Sequence, residues 1–241
     1  MDQAWRPRPI CYARFMSASR VNDQLRLPLQ RAAPVGAAGF VVSDSNATAF
    51  DLLSRWPEQA GGVLAICGPA GSGKSHLAAI WAERVGGVAL FGSEAALADP
   101  YELEGRPVLL DRAMDADDET LFHLINLAQS GGGALLLVSR PAPRAWAVDL
   151  PDLRSRLDAL QLVSVEEPDD AVLAAILRAR FAERSITPAD DLIDYLVRRI
   201  DRSAAAAERI VQALDDQHRP VTRALARQVL DAAGEADDLL D

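Results

Sequence analysis

Residues 63–75 read Val-Leu-Ala-Ile-Cys-Gly-Pro-Ala-Gly-Ser-Gly-Lys-Ser, an apolar run followed by a glycine-rich stretch that ends in Lys-Ser. The stretch fits the pattern Gly-x-x-x-x-Gly-Lys-Ser/Thr in full. The apolar run is typical of a short buried strand, and residues 76–85 have the spacing of an amphipathic helix. A strand, a glycine loop and a helix in this order aim backbone N–H groups and a helix N-terminus at one spot, which suits a phosphate. We therefore predict a nucleotide-binding site.

The residues of this loop have different tasks. Its glycines let the backbone approach a phosphate closely, and Lys74 supplies a positive charge for the β- and γ-phosphates. The Ser75 hydroxyl is a ligand for Mg²⁺, and His76 belongs to the helix that follows. The candidate loop residues are Gly68, Pro69, Ala70, Gly71, Ser72, Gly73, Lys74, Ser75 and His76.

Asp111 ends a later apolar run, residues 108–111, and is the candidate second group for Mg²⁺, which it would hold through water opposite Ser75. Enzymes that hydrolyse their own ATP generally place another acid after this one, but the next residue here is Arg112. A guanidinium stays protonated and cannot act as a general base. Asp115, Asp117 and Asp118 are rivals, although a solvated acidic loop explains them more simply. We expect slow or absent self-catalysed hydrolysis.

Strands and helices alternate along residues 37–167, which predicts an α/β fold whose parallel sheet is covered on both faces. The predicted strands are residues 63–67, 88–91, 108–111, 134–138 and 162–165. After Pro168 the pattern becomes purely helical, in segments 169–183, 188–200, 203–216 and 222–233, with Asp169, Thr187, Ser203 and Thr222 near their starts. We divide the chain into a tail (1–36), an α/β base (37–167), a helical lid (168–235) and an acidic end (236–241).

The composition excludes several classes of protein. No apolar run approaches the ~18 residues of a membrane span, and two distant cysteines fit a reduced, cytoplasmic setting. The net charge of −10 argues against strong autonomous binding to duplex DNA. Residues 1–36 are rich in Arg and Pro and read as a mobile tail, in which Met1 and Met16 are alternative starts.

Two arginines open a late helix of the base, in the run Leu153-Arg154-Ser155-Arg156-Leu157. They are either ordinary surface charge or one of them reaches across an interface to a partner's γ-phosphate. An arginine supplied in this way is worth about 10³–10⁵ in rate.

These motifs resemble the AAA+ ATPases, and among them the DnaA group of replication initiators. Residues 40–46, Phe-Val-Val-Ser-Asp-Ser-Asn, resemble the segment that lines the adenine pocket there, which makes Asn46 a candidate cofactor residue. Gly-Lys-Ser-His-Leu is similar to the family's GKTHL, and residues 121–143 follow the same template. Residues 153–157 resemble the family's Box VII, which implies that Arg156 is an arginine finger acting in trans. The resemblance covers residues 37–235 and implies bound ADP or ATP.

The tail contains Gln-Leu-Arg-Leu-Pro-Leu at residues 24–29, which looks like the peptide that docks in the groove of the DNA polymerase sliding clamp. The candidate clamp-binding residues are Gln24, Leu25, Leu27, Pro28 and Leu29. Such a peptide on a DnaA-like core resembles the Hda family. That resemblance implies a bacterial, replisome-associated negative regulator of replication initiation, which stimulates hydrolysis of DnaA-bound ATP and reaches DNA through the clamp. The sequence leaves monomer and homodimer open.

Three departures from the initiator's pattern bear on catalysis. Arg112 replaces the second acid, Arg140 stands at the sensor 1 position, and Ala205 aligns with the sensor 2 arginine. Arg202, in the preceding turn, either substitutes for that arginine or is surface charge. By the resemblance these losses weaken self-hydrolysis and favour bound ADP. The alternatives are an autonomous ATPase, such as a helicase loader or remodelling factor, and a replication adaptor without effect on hydrolysis.

Overall fold

Five parallel strands form one sheet in the order β2-β3-β4-β1-β5. The computed structural model describes residues 40–56, 62–130 and 133–237, with side chains up to residue 232. The predicted tail and its peptide at residues 24–29 lie outside these residues. The strands are β1 (Gly62–Cys67), β2 (Val88–Phe91), β3 (Pro107–Asp111), β4 (Ala134–Val138) and β5 (Gln161–Ser164). The predicted parallel α/β fold is confirmed.

Helices connect the strands and then continue without further strands. The α-helices are α1 (Ala47–Arg55), α2 (Lys74–Val85), α3 (Pro100–Leu103), α4 (Asp118–Ser130), α5 (Pro151–Asp158), α6 (Asp170–Glu183), α7 (Asp190–Val197), α8 (Ala204–Asp215) and α9 (Arg223–Asp237). A 3-10 helix, Gly92–Leu97, follows β2 and was not predicted. In the described residues no helix is long and apolar enough to cross a membrane.

Alternate residues of the central strands pack on opposite faces of the sheet. On one face Leu64 and Ile66 of β1 pack with α1 and α2, and on the other Ala65 packs with α4 and α5. Both faces are therefore covered, which explains why the strands read as nearly continuous apolar runs. Strand β1 lies between β4 and β5 in the sheet, although β2 follows it in the chain. The strand order therefore reverses at β1. Ligands of open α/β sheets bind at the carboxyl ends of the strands beside such a reversal.

The helices α6 to α9 surround an apolar core of their own, centred on Leu177, Phe181, Leu196 and Leu214. Asp169 and Ser203 cap α6 and α8, since their side chains accept hydrogen bonds from Val172 and Ala206. The helix α7 begins after Ala189, which offers no side-chain bond, so Thr187 is not its cap. The described residues all belong to one unit of the chain, Pro34–Asp241.

Candidate nucleotide-binding site

The glycine loop between β1 and α2 depends on backbone conformations that side chains disfavour. Gly68, Gly71 and Gly73 have φ values of +147°, +74° and +91°. At Gly68 there is also no room, because an added Cβ would lie 2.0 Å from the Val165 carbonyl oxygen. Helix α2 then begins at Lys74, two residues before the predicted start. The predicted strand, loop and helix are thus all present, with the N-terminus of α2 at the carboxyl end of β1.

Lys74 is folded back onto the loop. Its side chain is buried, and its Nζ donates to the Pro69 carbonyl at 2.6 Å and to the Ser72 hydroxyl at 3.2 Å. Burial lowers the pKa of Lys74, and the nearby Arg140 guanidinium lowers it further, against the opposing effects of Asp111 and Cys67. Two positive charges beside one loop favour a ligand with several negative charges.

A cleft of about 510 Å³ opens above the loop. This volume lies within the ~300–1,000 Å³ that small-molecule sites usually have. Of the predicted cofactor residues, Ala70, Gly71, Lys74, Ser75 and Asp111 line it. Asn46, Arg156 and Arg202 are not among its lining residues.

Ser75 and Asp111 are the cleft's candidate groups for Mg²⁺. Both residues line the cleft, and a hydroxyl and a carboxylate are oxygen donors of the kind that Mg²⁺ prefers. One Asp111 oxygen accepts a hydrogen bond from the Arg112 backbone N–H at 2.8 Å, which fixes the carboxylate at the end of β3. The described residues contain no cluster of three or more His, Cys, Asp or Glu side chains that could hold a metal. These two groups therefore fit Mg²⁺ only together with water and the oxygens of a bound phosphate.

Arg112 and Asp115 line the cleft on its β3 side. Arg112 has a φ of +51°, a left-handed conformation that costs a non-glycine residue of order 1–3 kcal/mol. Of the three rival acids only Asp115 lines the cleft. Asp117 instead accepts a bond from the Thr120 N–H at the start of α4, which lowers its pKa, and Asp118 accepts from the backbone of residues 149 and 150.

The turn after β4 brings Ser139 and Arg140 to the same cleft. The Gly68 N–H donates to the Arg140 carbonyl at 3.1 Å, so this turn lies directly beside the glycine loop. Ser139 is buried and its hydroxyl donates to the Pro141 carbonyl at 2.7 Å. The sequence indicated this position only through the resemblance, which put Arg140 at the sensor 1 position after a predicted strand. Its place beside the glycine loop depends on the pairing of β4 with β1.

Asn46 closes the segment that precedes α1. Its amide nitrogen donates to the Val41 carbonyl at 2.9 Å, and its amide oxygen accepts from the Ser43 N–H at 3.1 Å. The side chain is buried, and both of these hydrogen bonds go to the backbone of its own segment. The Phe40 ring lies edge-on to His76 of α2, with 5.5 Å between ring centroids. Asn46 therefore shapes this segment beside the glycine loop.

Two contacts join the glycine loop and residues 40–46 to the helices α6 and α8. The Ala204 N–H at the start of α8 donates to the Gly71 carbonyl at 3.3 Å. Burial opposes ionisation of Asp169, the α6 cap, but bonds from the Ser43 hydroxyl and from nearby backbone N–H groups outweigh it and lower the pKa of this carboxyl. A nucleotide bound at the glycine loop and residues 40–46 would therefore touch the same segments that contact the lid helices α6 and α8.

Arg202 has partners away from the cleft. Its guanidinium donates to Asp170 at 2.6 Å and to the Pro168 carbonyl at 3.3 Å. Both partners lie at the start of α6, so in this conformation Arg202 fastens the lid's first helix to the turn before α8.

The two arginines of α5 differ in their surroundings. Arg154 donates to the carbonyls of residues 143, 144 and 146 and lies 3.9 Å from Asp158, so it holds the preceding turn. The Arg156 guanidinium lies over the Phe122 ring, 5.1 Å from its centroid, and donates to the Gln129 side chain. In the described part of the chain no carboxylate lies within 4.0 Å of Arg156. Arg154 is structural, whereas Arg156 is held at the surface by a ring and an amide, with no carboxylate of the described residues beside it.

Comparison with known proteins points to one group of nucleotide-binding proteins. No family model matches the chain. The chain is 31% identical over 121 residues to the chromosomal replication initiator protein DnaA of Thermomicrobium roseum, a match that covers 48% of this chain and 26% of DnaA. It is 32% identical over 94 residues to DnaA of Chloroflexus aggregans, covering 39% and 20%. The chain thus spans about a quarter of the length of these relatives.

Solved structures share the fold. Domain III of the Thermotoga maritima replication initiation protein DnaA superposes with a TM-score of 0.67 at 19% identity, over 82% of this chain and 96% of that domain. A replication initiator DnaA bound to AMPPCP and single-stranded DNA gives 0.59 at 20% identity, covering 74% and 63%. The Thermotoga maritima branch migration motor RuvB gives 0.60 at 15% identity, covering 83% and 72%. The chain therefore has the AAA+ fold seen in domain III of DnaA, and about half of its sequence is similar to DnaA itself.

Proposed function

We propose that this protein is a regulator of replication initiation that binds an adenine nucleotide and stimulates hydrolysis of the ATP held by DnaA. Residues 24–29 would bind the sliding clamp, and Arg156 would reach the γ-phosphate on a DnaA partner. The proposal takes its partners from the resemblance to the Hda family and from the sequence similarity to DnaA. It makes the protein a cytoplasmic component of the bacterial replisome that reaches DNA through the clamp.

One observation carries the proposal: the arrangement of charges differs between the cleft and the surface of α5. The cleft places arginines at positions 112 and 140, where a hydrolysing enzyme needs a second acid and a sensor. Arg156, in contrast, is held by an aromatic ring and an amide and by no carboxylate in the described chain. A guanidinium with its charge unneutralised can stabilise the charge that develops during phosphoryl transfer on a partner.

The nucleotide would have a structural role in this protein. The loop N–H groups and Lys74 would bind its phosphates, and Ser75 and Asp111 would hold Mg²⁺ with water. An adenine base is supported by the solved DnaA structures with AMPPCP. We propose ADP as the resident form, because Arg112 and Arg140 disfavour turnover without weakening attraction to phosphates.

The test measures phosphate release from ATP-bound DnaA in the presence of clamp-loaded DNA and this protein. We expect stimulation by the wild type and a loss of about 10³-fold or more with Arg156→Ala. Arg144→Ala, which also removes one exposed arginine of the base, is the matched control and keeps the stimulation. Unchanged stimulation by Arg156→Ala would remove the finger from the proposal.

The clamp contact needs a separate measurement. Leu27→Ala with Leu29→Ala should abolish co-precipitation with the clamp while the melting temperature stays the same. Retained clamp binding by this double variant would show that another surface is used.

A second candidate is an autonomous ATPase, and the position of Asp115 favours it. This carboxylate lines the same cleft as Asp111 and Lys74, where it could orient water in place of the missing acid. Steady-state turnover by the purified protein alone, lost with Asp115→Asn, would establish this candidate over the first. If neither the wild type nor Asp115→Asn shows turnover, the regulator remains the better-supported function.

A further inference from the structure

A cleft between α7 and α9 gathers arginines around one tyrosine. Its lining includes Tyr195, Arg198, Arg199 and Arg223, which we call the arginine cleft, with Arg227 at an adjoining depression. Both depressions share Tyr195, Arg199 and Arg223, so they form one continuous surface. The arginine cleft uses no residue of the nucleotide site.

Tyr195 orients two of these arginines. The Arg199 and Arg223 guanidinium carbons lie 4.6 Å and 5.0 Å from the centroid of its ring. Arg199 also donates to the Tyr195 hydroxyl at 3.2 Å. The tyrosine is only 8% exposed, so its ring is a buried platform that limits the movement of both side chains. Preorganised guanidinium groups lose less freedom when they bind an anion.

These arginines lack the carboxylate partners that six other lid arginines have. Carboxylates lie within 4.0 Å of Arg178, Arg180, Arg184, Arg202, Arg209 and Arg227. Within the described residues, no carboxylate lies that close to Arg198, Arg199 or Arg223. The protein has 35 acidic and 25 basic side chains, so a lack of acids does not explain this. Within the described residues these three guanidinium groups are therefore not held in close ion pairs, although Asp191 and Asp194 also line the cleft.

The position of Arg223 at the start of α9 also favours a bound anion. It is the first residue of α9, at the positive end of the helix dipole, and the first turn contains no acid. A cation is disfavoured at this end of a helix. The Thr222 hydroxyl accepts from the Leu225 N–H, and Ala224, the second residue of α9, lines the adjoining depression. An anion bound beside Arg223 would offset both the helix dipole and the unpaired guanidinium.

We propose that the arginine cleft is a docking site for an acidic peptide segment of a partner protein, whose carboxylates pair with Arg199 and Arg223. Planar guanidinium groups bind carboxylates through two parallel hydrogen bonds. Nucleic acid fits less well, because Asp191 and Asp194 also line the cleft and leave room for only a few well-placed negative charges. Duplex DNA, with a charge about every 1.7 Å, would bring phosphates against these acids. A peptide can alternate carboxylates with neutral groups.

The test uses the full-length protein and a fluorescein-labelled peptide of alternating Glu and Ser, with anisotropy read at low and physiological salt. The double variant Arg199→Gln/Arg223→Gln should weaken binding at least about tenfold, since it removes charge-assisted hydrogen bonds. The matched control, Arg178→Gln/Arg209→Gln, also removes two lid arginines and should change affinity by less than about twofold. Arg198→Gln replaces the double variant if melting shows that the latter is unfolded.

Several results would overturn the proposal. They are no binding by the wild type, an equal loss in the control variant, and tighter binding of a labelled oligothymidylate that depends on the same arginines. Sedimentation velocity tests whether a second copy of this chain occupies the cleft instead. A dimer of the wild type that dissociates in the Arg199→Gln/Arg223→Gln variant would assign the cleft to a second copy of this chain.

Discussion

The contacts that hold Arg156 lead to a quantitative prediction about Phe122. Phe122→Leu removes the ring below the guanidinium but leaves an apolar side chain against the core that Phe122 partly fills. A cation–π contact at an exposed site is worth about 0.5–1 kcal/mol. If the held orientation is the one that reaches a partner's phosphate, this loss lowers the stimulated rate about two- to fivefold. Arg156→Ala should cost about 10³-fold or more.

The assay must separate the orientation of Arg156 from the affinity of the partners. Phosphate release by ATP-bound DnaA is therefore measured over a range of concentrations of this protein, so that the rate at saturation and the half-saturating concentration are obtained together. The reasoning predicts a lower saturating rate with an unchanged half-saturating concentration. His123→Leu is the control, because this ring lies edge-on to Phe122 with 6.3 Å between centroids, whereas the Arg156 guanidinium lies over the Phe122 ring itself.

Two outcomes would refute the reasoning. A two- to fivefold increase with Phe122→Leu would mean that the ring holds Arg156 in a resting position that it must leave. An equal decrease with His123→Leu would mean that the surface of α4 matters for docking rather than for orientation. Gln129→Ala, which removes the amide acceptor of Arg156, should shift the rate in the same direction as Phe122→Leu.

Three further predictions concern the loop and the lid. Gly68→Ala should lower the free energy of unfolding by about 3 kcal/mol or more, because its Cβ would lie 2.0 Å from the Val165 carbonyl oxygen; an unchanged urea midpoint would contradict this. Nucleotide binding should take up protons at alkaline pH, because bound phosphates raise a Lys74 pKa that burial and Arg140 hold below its ordinary value. The affinity for nucleotide then falls as pH rises through the Lys74 pKa of the nucleotide-free protein. Calorimetry in buffers of different ionisation enthalpy measures the proton uptake, which Lys74→Met should remove. Asp169→Ala should lower the free energy of unfolding by about 1 kcal/mol at pH 7, because it removes the cap of α6. Since the pKa of Asp169 is lowered in the folded protein, the difference in stability between wild type and variant should shrink as pH falls below about 3.9, which urea titrations measure.

The sequence predicted the sheet well because its signal is local. Strands β2 and β4 begin and end where the apolar runs indicated, and the others differ by one residue at most at each end. Helix α5 was placed two residues too late, since Leu160 continues the apolar spacing although the helix ends at Asp158. The short helices between Gly92 and Leu103 were missed because one or two turns are too short to show a periodicity.

The sequence predicted the part of the site that lies in the glycine loop, and also Asp111 at the end of a later apolar run. The spacing of its glycines and Lys-Ser identifies the loop from the sequence, but Asp115 and Arg140 reach the same cleft from turns after β3 and β4. Their arrival depends on the strand order, which places β4 directly beside β1. Arg202 shows the opposite limit: Ala204, two residues later, donates to the Gly71 carbonyl of the loop, while the Arg202 guanidinium pairs with Asp170.

The contacts around the cleft also give a complete phosphate loop a use that requires no hydrolysis. Gly71 bonds the first residue of α8, and Ser43, from the segment before α1, bonds the cap of α6. These contacts alone are few, and Lys74 and Arg140 repel each other across the cleft. A bound polyphosphate would neutralise that repulsion and touch the loop that carries the lid. Nucleotide would then stabilise one arrangement of base and lid without being consumed, so nucleotide removal should lower the melting temperature more than it alters any chemistry in this cleft.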